Sequence, residues 1–345
     1  MAQTSDLVCV TGASGFIATQ LVKALLEGGY RVRGTVRDPK KADVLRGLDG
    51  AKDRLELVAA DLLDADSMQK AIAGTHVVMH TASPYVITVK DPQRDLVDPA
   101  LKGTEHALAA CRAAGVKRVV LTSSCAAITD APDGRVLTEA DWNEKSSLTR
   151  NPYYYSKTVA ERAAWAFVEK EKPSFDLVTI NPALVIGPSL IRALNPSSGV
   201  IADLLNGKQP AVVRLEWGIV DVRDVAKAHI LAMETASAKG RYICTAGMLD
   251  MSSLVATLKK HGLGKGKLPK LSLASPVGDV VAKIFSYTQP KGIGQYVRTN
   301  VGGKLIYDNQ KIVRELAMRF RAIEESIVET AADLAKWGHV EARAA

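Results

Sequence analysis

The sequence has few of the residues that build disulfide-rich domains or thiolate metal centres. It contains four cysteines in 345 residues, and Cys9, Cys111, Cys125 and Cys244 are scattered without a Cys-x-x-Cys pair. This spacing excludes a disulfide scaffold and a thiolate metal site, and it favours a reducing compartment. Cys9 and Cys244 lie in apolar runs, where cysteine commonly acts as a small buried hydrophobe.

Long hydrophobic runs are absent as well. No stretch of about 18 or more apolar residues occurs, so we expect no helix that spans a membrane. Residues 1–6 are short and polar, and they lack the basic and apolar segments of a secretory leader. We therefore expect a cytoplasmic protein that does not bind membranes.

Charge of one sign is only in modest excess. The chain has 45 basic and 37 acidic residues, which gives a formal net charge of +8. The basic residues are spread along the chain, and the lysine-rich stretch 259–270 has no aromatic residue for stacking on bases. We interpret this stretch as a solvated loop and expect no nucleic-acid partner, whereas an anionic small ligand would account for part of the surplus.

Short apolar runs and helical patterns alternate through the first half of the chain. With 47% hydrophobic residues, the chain can form one large core with a smaller lobe attached. Strands are predicted at Leu7–Thr11, Arg31–Val36, 55–60, Val77–His80, 119–121 and 177–180, and helices at Phe16–Glu27, 101–114 and 153–170. This rhythm predicts an α/β fold with a doubly wound parallel sheet.

A glycine-rich turn connects the first predicted strand to the first helix. Gly12 allows a tight turn, Gly15 lets the backbone approach a pyrophosphate, and Ala18 leaves room for the helix to pack on the sheet. The free N–H groups of the helix N-terminus attract phosphates. Because the turn lies between a strand and a helix, a dinucleotide site is favoured over an ordinary βα turn. The predicted cofactor contacts of this turn are Gly12, Ser14, Gly15, Phe16 and Ile17.

The end of the second strand distinguishes between the two nicotinamide cofactors. An NAD enzyme usually places an acidic side chain there for the ribose 2′-hydroxyl. Here Val36 is followed by Arg37, whose guanidinium can bind a 2′-phosphate. Lys41 either contacts the same phosphate or is solvated, and Asp38 is the residue that favours NAD. The balance predicts NADPH.

Further cofactor contacts are expected at the ends of the following strands. Asp61 and Leu62 follow the third strand and could reach the adenine, although Asp61 could equally cap a turn. His76 and His80 would be roughly 13 Å apart in a strand, too far for one metal ion, so we predict no metal site. The remaining predicted cofactor contacts are Thr81, Ala82, Ser83, Thr122, Pro182, Ala183, Leu184 and Val185.

After Pro182 the alternation of strands and helices breaks down. Residues 220–233 and 241–245 look like pieces that return to the sheet, residues 249–303 are expected to be loop-rich with an apolar middle at 277–287, and 324–337 should be an amphipathic helix. We predict an NADP-binding Rossmann domain over residues 1–182, with returning pieces near 216–246. Residues 183–215 and 247–345 would form a smaller discontinuous lobe that binds the substrate.

A tyrosine and a lysine in the predicted helix 153–170 point to acid–base chemistry. Tyr153 and Lys157 are four residues apart and share a helix face, and a neighbouring ammonium lowers the pKa of tyrosine from its usual value of about 10. Tyr153 could then donate a proton to a carbonyl oxygen, and Lys157 could also hold the nicotinamide ribose. Tyr154 is a rival on spacing alone. Ser123 and Ser124 end the fifth strand, where a hydroxyl can bind the substrate oxygen; for Ser123 we favour a cap or turn role.

Taken together, these motifs resemble the extended short-chain dehydrogenases/reductases. They are Gly12-x-x-Gly15-x-x-Ala18, Arg37-Asp38-Pro39, Asp61-Leu62, Thr122-Ser123-Ser124, Tyr153-x-x-x-Lys157, the segment 181–188 and the segment 220–225. Within that superfamily the chain is similar to the group of dihydroflavonol 4-reductases, cinnamoyl-CoA reductases and fungal carbonyl (methylglyoxal) reductases. The resemblance implies a catalytic set of Ser124, Tyr153 and Lys157, with Arg37 on the 2′-phosphate of NADPH, in a monomer or homodimer.

Three positions depart from the substrate motifs of that group. Thr129 stands where flavonoid reductases often carry asparagine or aspartate, and Val200 and Asp203 fall where cinnamoyl-CoA reductases carry histidine and lysine. The sequence therefore favours reduction of an aldehyde or ketone that lacks a large charged carrier.

Several other functions stay open. Dihydroflavonols or cinnamoyl-CoA esters are alternative substrates within the same group. An NAD-dependent sugar-nucleotide epimerase or dehydratase uses the same core, but Arg37 argues against it, and a 3β-hydroxysteroid dehydrogenase shares the triad. A non-catalytic NADP-sensing regulator is disfavoured because the Tyr153–Lys157 pair is present.

Overall fold

The computed structural model describes residues 4–83 and 89–341. In these residues the strands are β1 (Leu7–Thr11), β2 (Arg31–Val36), β3 (Leu55–Ala59), β4 (Val77–His80), β5 (Arg118–Thr122), β6 (Val136–Leu137), β7 (Asp176–Pro182), β8 (Leu184–Ile186), β9 (Ala211–Val212), β10 (Glu216–Asp221), β11 (Gly240–Cys244), β12 (Gly247–Asp250), β13 (Leu271–Ser272) and β14 (Ile306–Tyr307).

Helices connect most of these strands. They are α1 (Phe16–Glu27), α2 (Asp43–Arg46), α3 (Ala51–Arg54), α4 (Ala65–Ile72), α5 (Asp98–Ala113), α6 (Pro152–Glu171), α7 (Pro196–Leu205), α8 (Val222–Glu234), α9 (Met251–Lys260), α10 (Pro276–Phe285), α11 (Lys291–Asn300), α12 (Gln310–Glu315) and α13 (Ile323–Lys336). Shorter 3-10 turns occur at Pro39–Lys41, Cys125–Ala127 and Ser286–Thr288, and a single π turn at Gln93–Val97.

The main sheet has seven strands in the order β11-β7-β5-β4-β1-β2-β3. Every neighbouring pair in it is parallel. Helices α1 and α8 pack together on one face of the sheet, and α4, α5 and α6 cover the other face. Since both faces are covered, β5 is buried at every position, from Arg118 to Thr122. The predicted doubly wound α/β fold is confirmed.

The strand order changes direction between β1 and β4, because the chain crosses from one half of the sheet to the other at that point. Ligands of such sheets bind beyond the carboxyl ends of the strands at this switch point. The glycine turn after β1 and the loop after β4 therefore lie together at one edge. This arrangement gives the predicted cofactor residues a common location.

A second hydrophobic core lies outside the main sheet. It combines Ile201 and Leu205 of α7, Trp217 of β10, Leu258 of α9 and Ile327 of α13. Strand β10 pairs in parallel with β8 and antiparallel with β12, which gives a small separate sheet. Many residues of the predicted smaller lobe thus share a second core with Trp217 of the returning piece, whereas Ile312 and Leu316 belong to the main core.

One prediction for the second half of the chain was wrong. Residues 249–303 contain three helices, α9, α10 and α11, rather than mainly loops, and the first lysines of the stretch 259–270 belong to the last turn of α9. The two pieces predicted to return to the main sheet do so in different ways. Residues 220–221 end β10, which joins the small sheet, whereas α8 packs on α1 and against β5 and β7 of the main sheet. The predicted strand 241–245 returns as β11 beside β7.

In the residues that the structure describes, no helix has both the length and the apolar composition needed to cross a bilayer. The four cysteines are buried free thiols. The same residues hold no group of three or more histidine, cysteine, aspartate or glutamate side chains arranged for a metal ion.

Candidate active site

The turn between β1 and α1 forms a phosphate cradle. Gly12 has φ +65, and a Cβ atom there would lie 3.0 Å from the Cβ of Ala82, so only glycine suits this position. The N–H of Gly15 donates to the carbonyl of Gly12 at 2.9 Å, which closes the turn. Within the described residues no side chain caps the N-terminus of α1, and its first turn has no acidic residue. The backbone N–H groups beside Phe16 and Ile17 thus face no competing anion, and a pyrophosphate fits there.

The residues after β2 favour a 2′-phosphate. Arg37 is exposed directly beyond the strand end. Asp38, the residue that favoured NAD, accepts a hydrogen bond from the N–H of Lys40 at 3.0 Å and caps the turn Pro39–Lys41. The ammonium of Lys41 lies 3.8 Å from the Asp38 carboxylate. Asp38 thus has local partners, and the exposed Arg37 guanidinium lies beside it where a 2′-phosphate could bind.

Asp61 and Leu62 have structural partners after β3. The carboxylate of Asp61 accepts from the N–H of Leu63 at 2.8 Å, which is the turn-capping alternative considered from the sequence. Leu62 packs against α5 where Gly103 leaves no Cβ, and its carbonyl lies 3.1 Å from Nδ1 of His106. An adenine contact from this pair stays a prediction.

The ends of β1 and β4 are joined by a buried hydroxyl that sequence reasoning missed. Oγ1 of Thr11 accepts from the N–H groups of Thr81 and Ala82, each at 3.1 Å. It therefore donates its own proton to Nδ1 of His80, which lies at 2.9 Å. Burial, assisted by the positive charge of Lys157, lowers the pKa of His80 to about 4. His80 is thus a neutral positioning group for the loop that carries Thr81, Ala82 and Ser83.

Of the two serines after β5, Ser124 caps the following turn, and Ser123, which was predicted to do so, does not. Oγ of Ser124 accepts from the N–H of Ala126 at 3.1 Å and caps the turn Cys125–Ala127. Its hydroxyl proton remains available for a substrate oxygen. Ser123, predicted to be a cap or turn residue, instead donates to the buried Glu161 carboxylate at 2.5 Å. That prediction was wrong because the partner lies 38 residues away in the chain.

Helix α6 brings Tyr153 and Lys157 onto one face. The ammonium of Lys157 lies 5.9 Å from the centroid of the Tyr153 ring. Burial lowers the pKa of Lys157 to about 8, and the Glu161 carboxylate opposes part of that effect. A poorly solvated cation is therefore held beside the phenol, which is the arrangement that stabilises a phenolate.

The rival tyrosine has a different environment. The Tyr154 ring meets the Tyr153 ring edge-on, with 6.0 Å between centroids. On its other side it lies 6.4 Å from the ring of Tyr296, which belongs to α11. Tyr154 thus packs towards the smaller lobe, whereas the Lys157 ammonium lies over Tyr153.

The other predicted cofactor residues lie along β5, β7 and β8. Oγ1 of Thr122 lies 2.7 Å from Nε2 of His229, whose Nδ1 donates to the carbonyl of Val225 at 2.8 Å. The Thr122 hydroxyl therefore donates towards α8, and a cofactor contact through that proton is not favoured. Pro182 ends β7. The N–H of Ala183 donates to the carbonyl of Cys244 at the end of β11. Leu184 and Val185 belong to β8 and pair with β10.

Comparison with known proteins supports this reading of the geometry. A model described as the NAD dependent epimerase/dehydratase family matches residues 8–244. The chain is 40% identical over 344 residues to cinnamoyl-CoA reductase 1 of Petunia hybrida, with 98% of this chain and 94% of the relative covered. It is 48% identical over 268 residues to cinnamoyl-CoA reductase CAD2 of Medicago truncatula, with 74% and 80% covered.

A solved structure is similar over almost its whole length. The yeast methylglyoxal/isovaleraldehyde reductase Gre2, complexed with NADPH, has a TM-score of 0.80 and 29% identity, with 97% of this chain and 100% of that chain covered. The family predicted from the motifs is confirmed, since the matched region contains the glycine turn, the Tyr153–Lys157 pair and the segment 220–225. The chain belongs to the NAD dependent epimerase/dehydratase family, within the extended short-chain dehydrogenases/reductases.

Proposed function

We propose that this chain reduces an aldehyde or ketone to an alcohol with NADPH. The observation that carries the proposal is the buried ammonium of Lys157 over the Tyr153 ring, at the same sheet edge as the glycine turn. The predicted enzyme class, an oxidoreductase, is confirmed, because the relatives that cover most of the chain are reductases. NADPH as the cofactor is likewise confirmed, since the solved yeast reductase holds it.

The residues that would hold NADPH fit its charges. The uncapped N-terminus of α1 would receive the pyrophosphate, and Arg37 would pair with the 2′-phosphate. Lys157 would reach the nicotinamide ribose. When bound, NADPH supplies the hydride.

The chain's own side chains manage the proton and the developing negative charge. Tyr153 donates its phenolic proton to the carbonyl oxygen, which leaves a phenolate on the helix face shared with Lys157. The Lys157 ammonium stabilises that phenolate because burial leaves it little water for screening. Ser124 donates a hydrogen bond to the same carbonyl oxygen, which increases its negative character before it is protonated.

The substrate is proposed to lack a large charged carrier. Val200 lies on α7 against the second core, and the carboxylate of Asp203 pairs with the ammonium of Lys208 at 3.0 Å. Neither position offers the cation or imidazole that cinnamoyl-CoA reductases carry there. A cinnamoyl-CoA ester is the second candidate, and the 48% identity to a cinnamoyl-CoA reductase favours it.

A panel assay distinguishes these substrates. NADPH consumption should be measured, through the absorbance of the reduced nicotinamide, with aldehydes, ketones, dihydroflavonols and cinnamoyl-CoA. We expect the largest kcat/KM with an aldehyde or ketone. A larger kcat/KM with the CoA ester would transfer the proposal to the second candidate, and activity on a nucleotide sugar alone would overturn both.

The role of Tyr153 is tested with two phenylalanine variants. Tyr153→Phe removes the proton donor, and we expect kcat to fall by about 10³-fold, while NADPH binding, measured by fluorescence, stays close to that of the wild type. Tyr154→Phe is the matched control on the neighbouring residue. Retained turnover in Tyr153→Phe together with loss of turnover in Tyr154→Phe would show that Tyr154, and not Tyr153, is the proton donor.

We also propose a cytoplasmic location, which the four free, buried cysteines support. Monomer and homodimer both remain predictions. The assignment of residues 1–182 to cofactor binding and of residues 183–215 and 247–345 to substrate binding is proposed on the same footing.

A further inference from the structure

Glu161 is a buried carboxylate one helical turn beyond Lys157 on α6, and it is 1% exposed. Ser123, Trp165, Thr179, Asn181 and Arg241 all donate to it. The shortest of these bonds come from Ser123 at 2.5 Å and from Asn181 and Arg241 at 2.7 Å each. Its two oxygens are therefore fully satisfied inside the protein, and the carboxylate cannot shift without breaking several bonds.

The donors to Glu161 also hold the turn that carries Ser124. Nδ2 of Asn181 donates both to Glu161 and, at 3.2 Å, to the carbonyl of Ser124. Nη2 of Arg241 donates to Glu161 at 3.3 Å and to the carbonyl of Ala127 at 3.4 Å. The strand end at Ser124 and the helix that carries Lys157 thus share one anchor.

A contribution to folding stability alone does not explain why the buried pair Glu161–Arg241 is charged. A buried ion pair costs desolvation energy that a well-packed apolar pair would avoid. Glu161 and Arg241 are 0% and 7% exposed in their side chains, and the Arg241 guanidinium stacks over the Trp142 ring at 3.8 Å. The network is therefore a rigid, charged support placed next to the proposed catalytic groups.

The charged surroundings of Lys157 make Glu161 its principal anion. His80 faces Lys157 from β4 and is neutral. From the turn after β5, the Cys125 thiol stays protonated because burial raises its pKa. The π turn Gln93–Val97 also packs on α6, and its Arg94 and Asp95 pair with each other at 2.7 Å.

Arg241 and Glu139 are the other charged residues around Glu161. Arg241 approaches it from β11 as the one cation paired with it in the described residues. Glu139 lies near the same guanidinium, but its carboxylate accepts from the N–H of Ile243 at 3.0 Å, and burial raises its pKa. Removal of the Glu161 charge would leave Lys157 with the positive field of Arg241 unopposed.

We propose that Glu161 is the positioning residue of this active site, holding the Ser124 turn in register with α6 through Ser123, Asn181 and Arg241 and placing a buried negative charge one helical turn from the Lys157 ammonium. The inference rests on the proposed roles of Ser124, Tyr153 and Lys157. It adds a residue that contacts neither substrate nor cofactor and acts through those that do.

The first test measures Lys157 directly in the protein without NADPH. The reactivity of the Lys157 amine towards acetic anhydride is followed across pH by mass spectrometry of the peptide. In Glu161→Gln we expect the midpoint of reactivity to move down by about one pH unit, because an attractive charge has been lost. Thr179→Val is the matched control: it removes one bond to Glu161, keeps the charge, and should lower Tm without moving the midpoint.

The second test measures turnover. Glu161→Gln should lower kcat about tenfold and move the alkaline limb of the kcat profile to lower pH, in step with the labelling midpoint. If Glu161→Gln folds and keeps both the wild-type midpoint and the wild-type profile, the inference is overturned. If it does not fold, Glu161→Asp decides: an unchanged midpoint with reduced kcat supports the inference, and unchanged kcat overturns it.

The two proposals can fail separately. The labelling midpoint does not depend on any substrate or on the identity of the proton donor. If Tyr153→Phe retained full turnover while Glu161→Gln still shifted the Lys157 midpoint, the proposed function would fail and the effect of Glu161 on Lys157 would stand.

Discussion

The buried Lys157 ammonium should cost stability in return for catalysis, and Lys157→Met tests this. Methionine has nearly the same length and no charge. The pKa of Lys157 is lowered from 10.5 to about 8, which corresponds to about 3 kcal/mol of penalty for the charged form in the fold. At pH 7 we expect Lys157→Met to raise the free energy of unfolding by up to about 3 kcal/mol, while it abolishes turnover.

The sign of the pH dependence follows from the depressed pKa. Below pH of about 8 the lysine is protonated in both the folded and the unfolded chain, so the full penalty is present. Between about 8 and 10.5 the folded protein has lost the proton that the unfolded chain still binds, and the wild type gains stability as pH rises. The advantage of the variant should therefore shrink over that window and disappear near its upper end.

Urea unfolding of the proteins without NADPH, at several pH values between about 7 and about 10, provides the measurement. The wild type and Lys157→Met are compared at each pH, with Lys23→Met as a control for a partly exposed lysine, which pairs with Glu27 on α1. A variant that is less stable than the wild type at pH 7, or whose stability difference does not change with pH, would refute the reasoning.

Two further predictions concern the cofactor and acid stability. Arg37→Ala should raise the KM for NADPH about tenfold and leave the KM for NADH nearly unchanged, because only NADPH has a 2′-phosphate for the guanidinium to bind; steady-state kinetics with both cofactors measure this, and an equal rise for both would contradict it. Burial lowers the pKa of His229 from 6.5 to about 4, so the stability that its neutral form provides is lost as pH falls through that window. His229→Gln should reduce the acid-induced loss by about 3 kcal/mol in urea titrations, and an unchanged loss would contradict the assignment.

Local patterns predicted the first half of the fold closely. Strand β1, helix α1 and strand β2 occupy the residues that their apolar spacing indicated. Gly12 was recognisable because a position with positive φ that touches another backbone leaves little choice of residue. Lys157 shares a face with Tyr153 because four residues make about one turn of a helix.

The second half was less predictable because glycine and lysine are frequent in it. Helix α10 was read only as an apolar middle within a loop, although Val277, Val280, Val281 and Ile284 have helical spacing. Those side chains are exposed in the structure, so the usual association of apolar spacing with a buried face did not help. The partner of Ser123 was missed for a related reason: its hydroxyl, just beyond a strand end, donates to Glu161, which lies 38 residues away in the chain.

The amino-acid sequence by itself determined the alternating strands and helices, the phosphate turn and the helix that carries Tyr153, since each of these patterns lies in a short stretch of the chain; the parallel sheet follows from the alternation. Only the tertiary structure decided the charges around them. The environment of Lys157 depends on Glu161, whose own partners are Ser123 just after β5, Asn181 in β7 and Arg241 in β11. Burial and pairing across such separations set the ionisation of a side chain, and no local pattern records them.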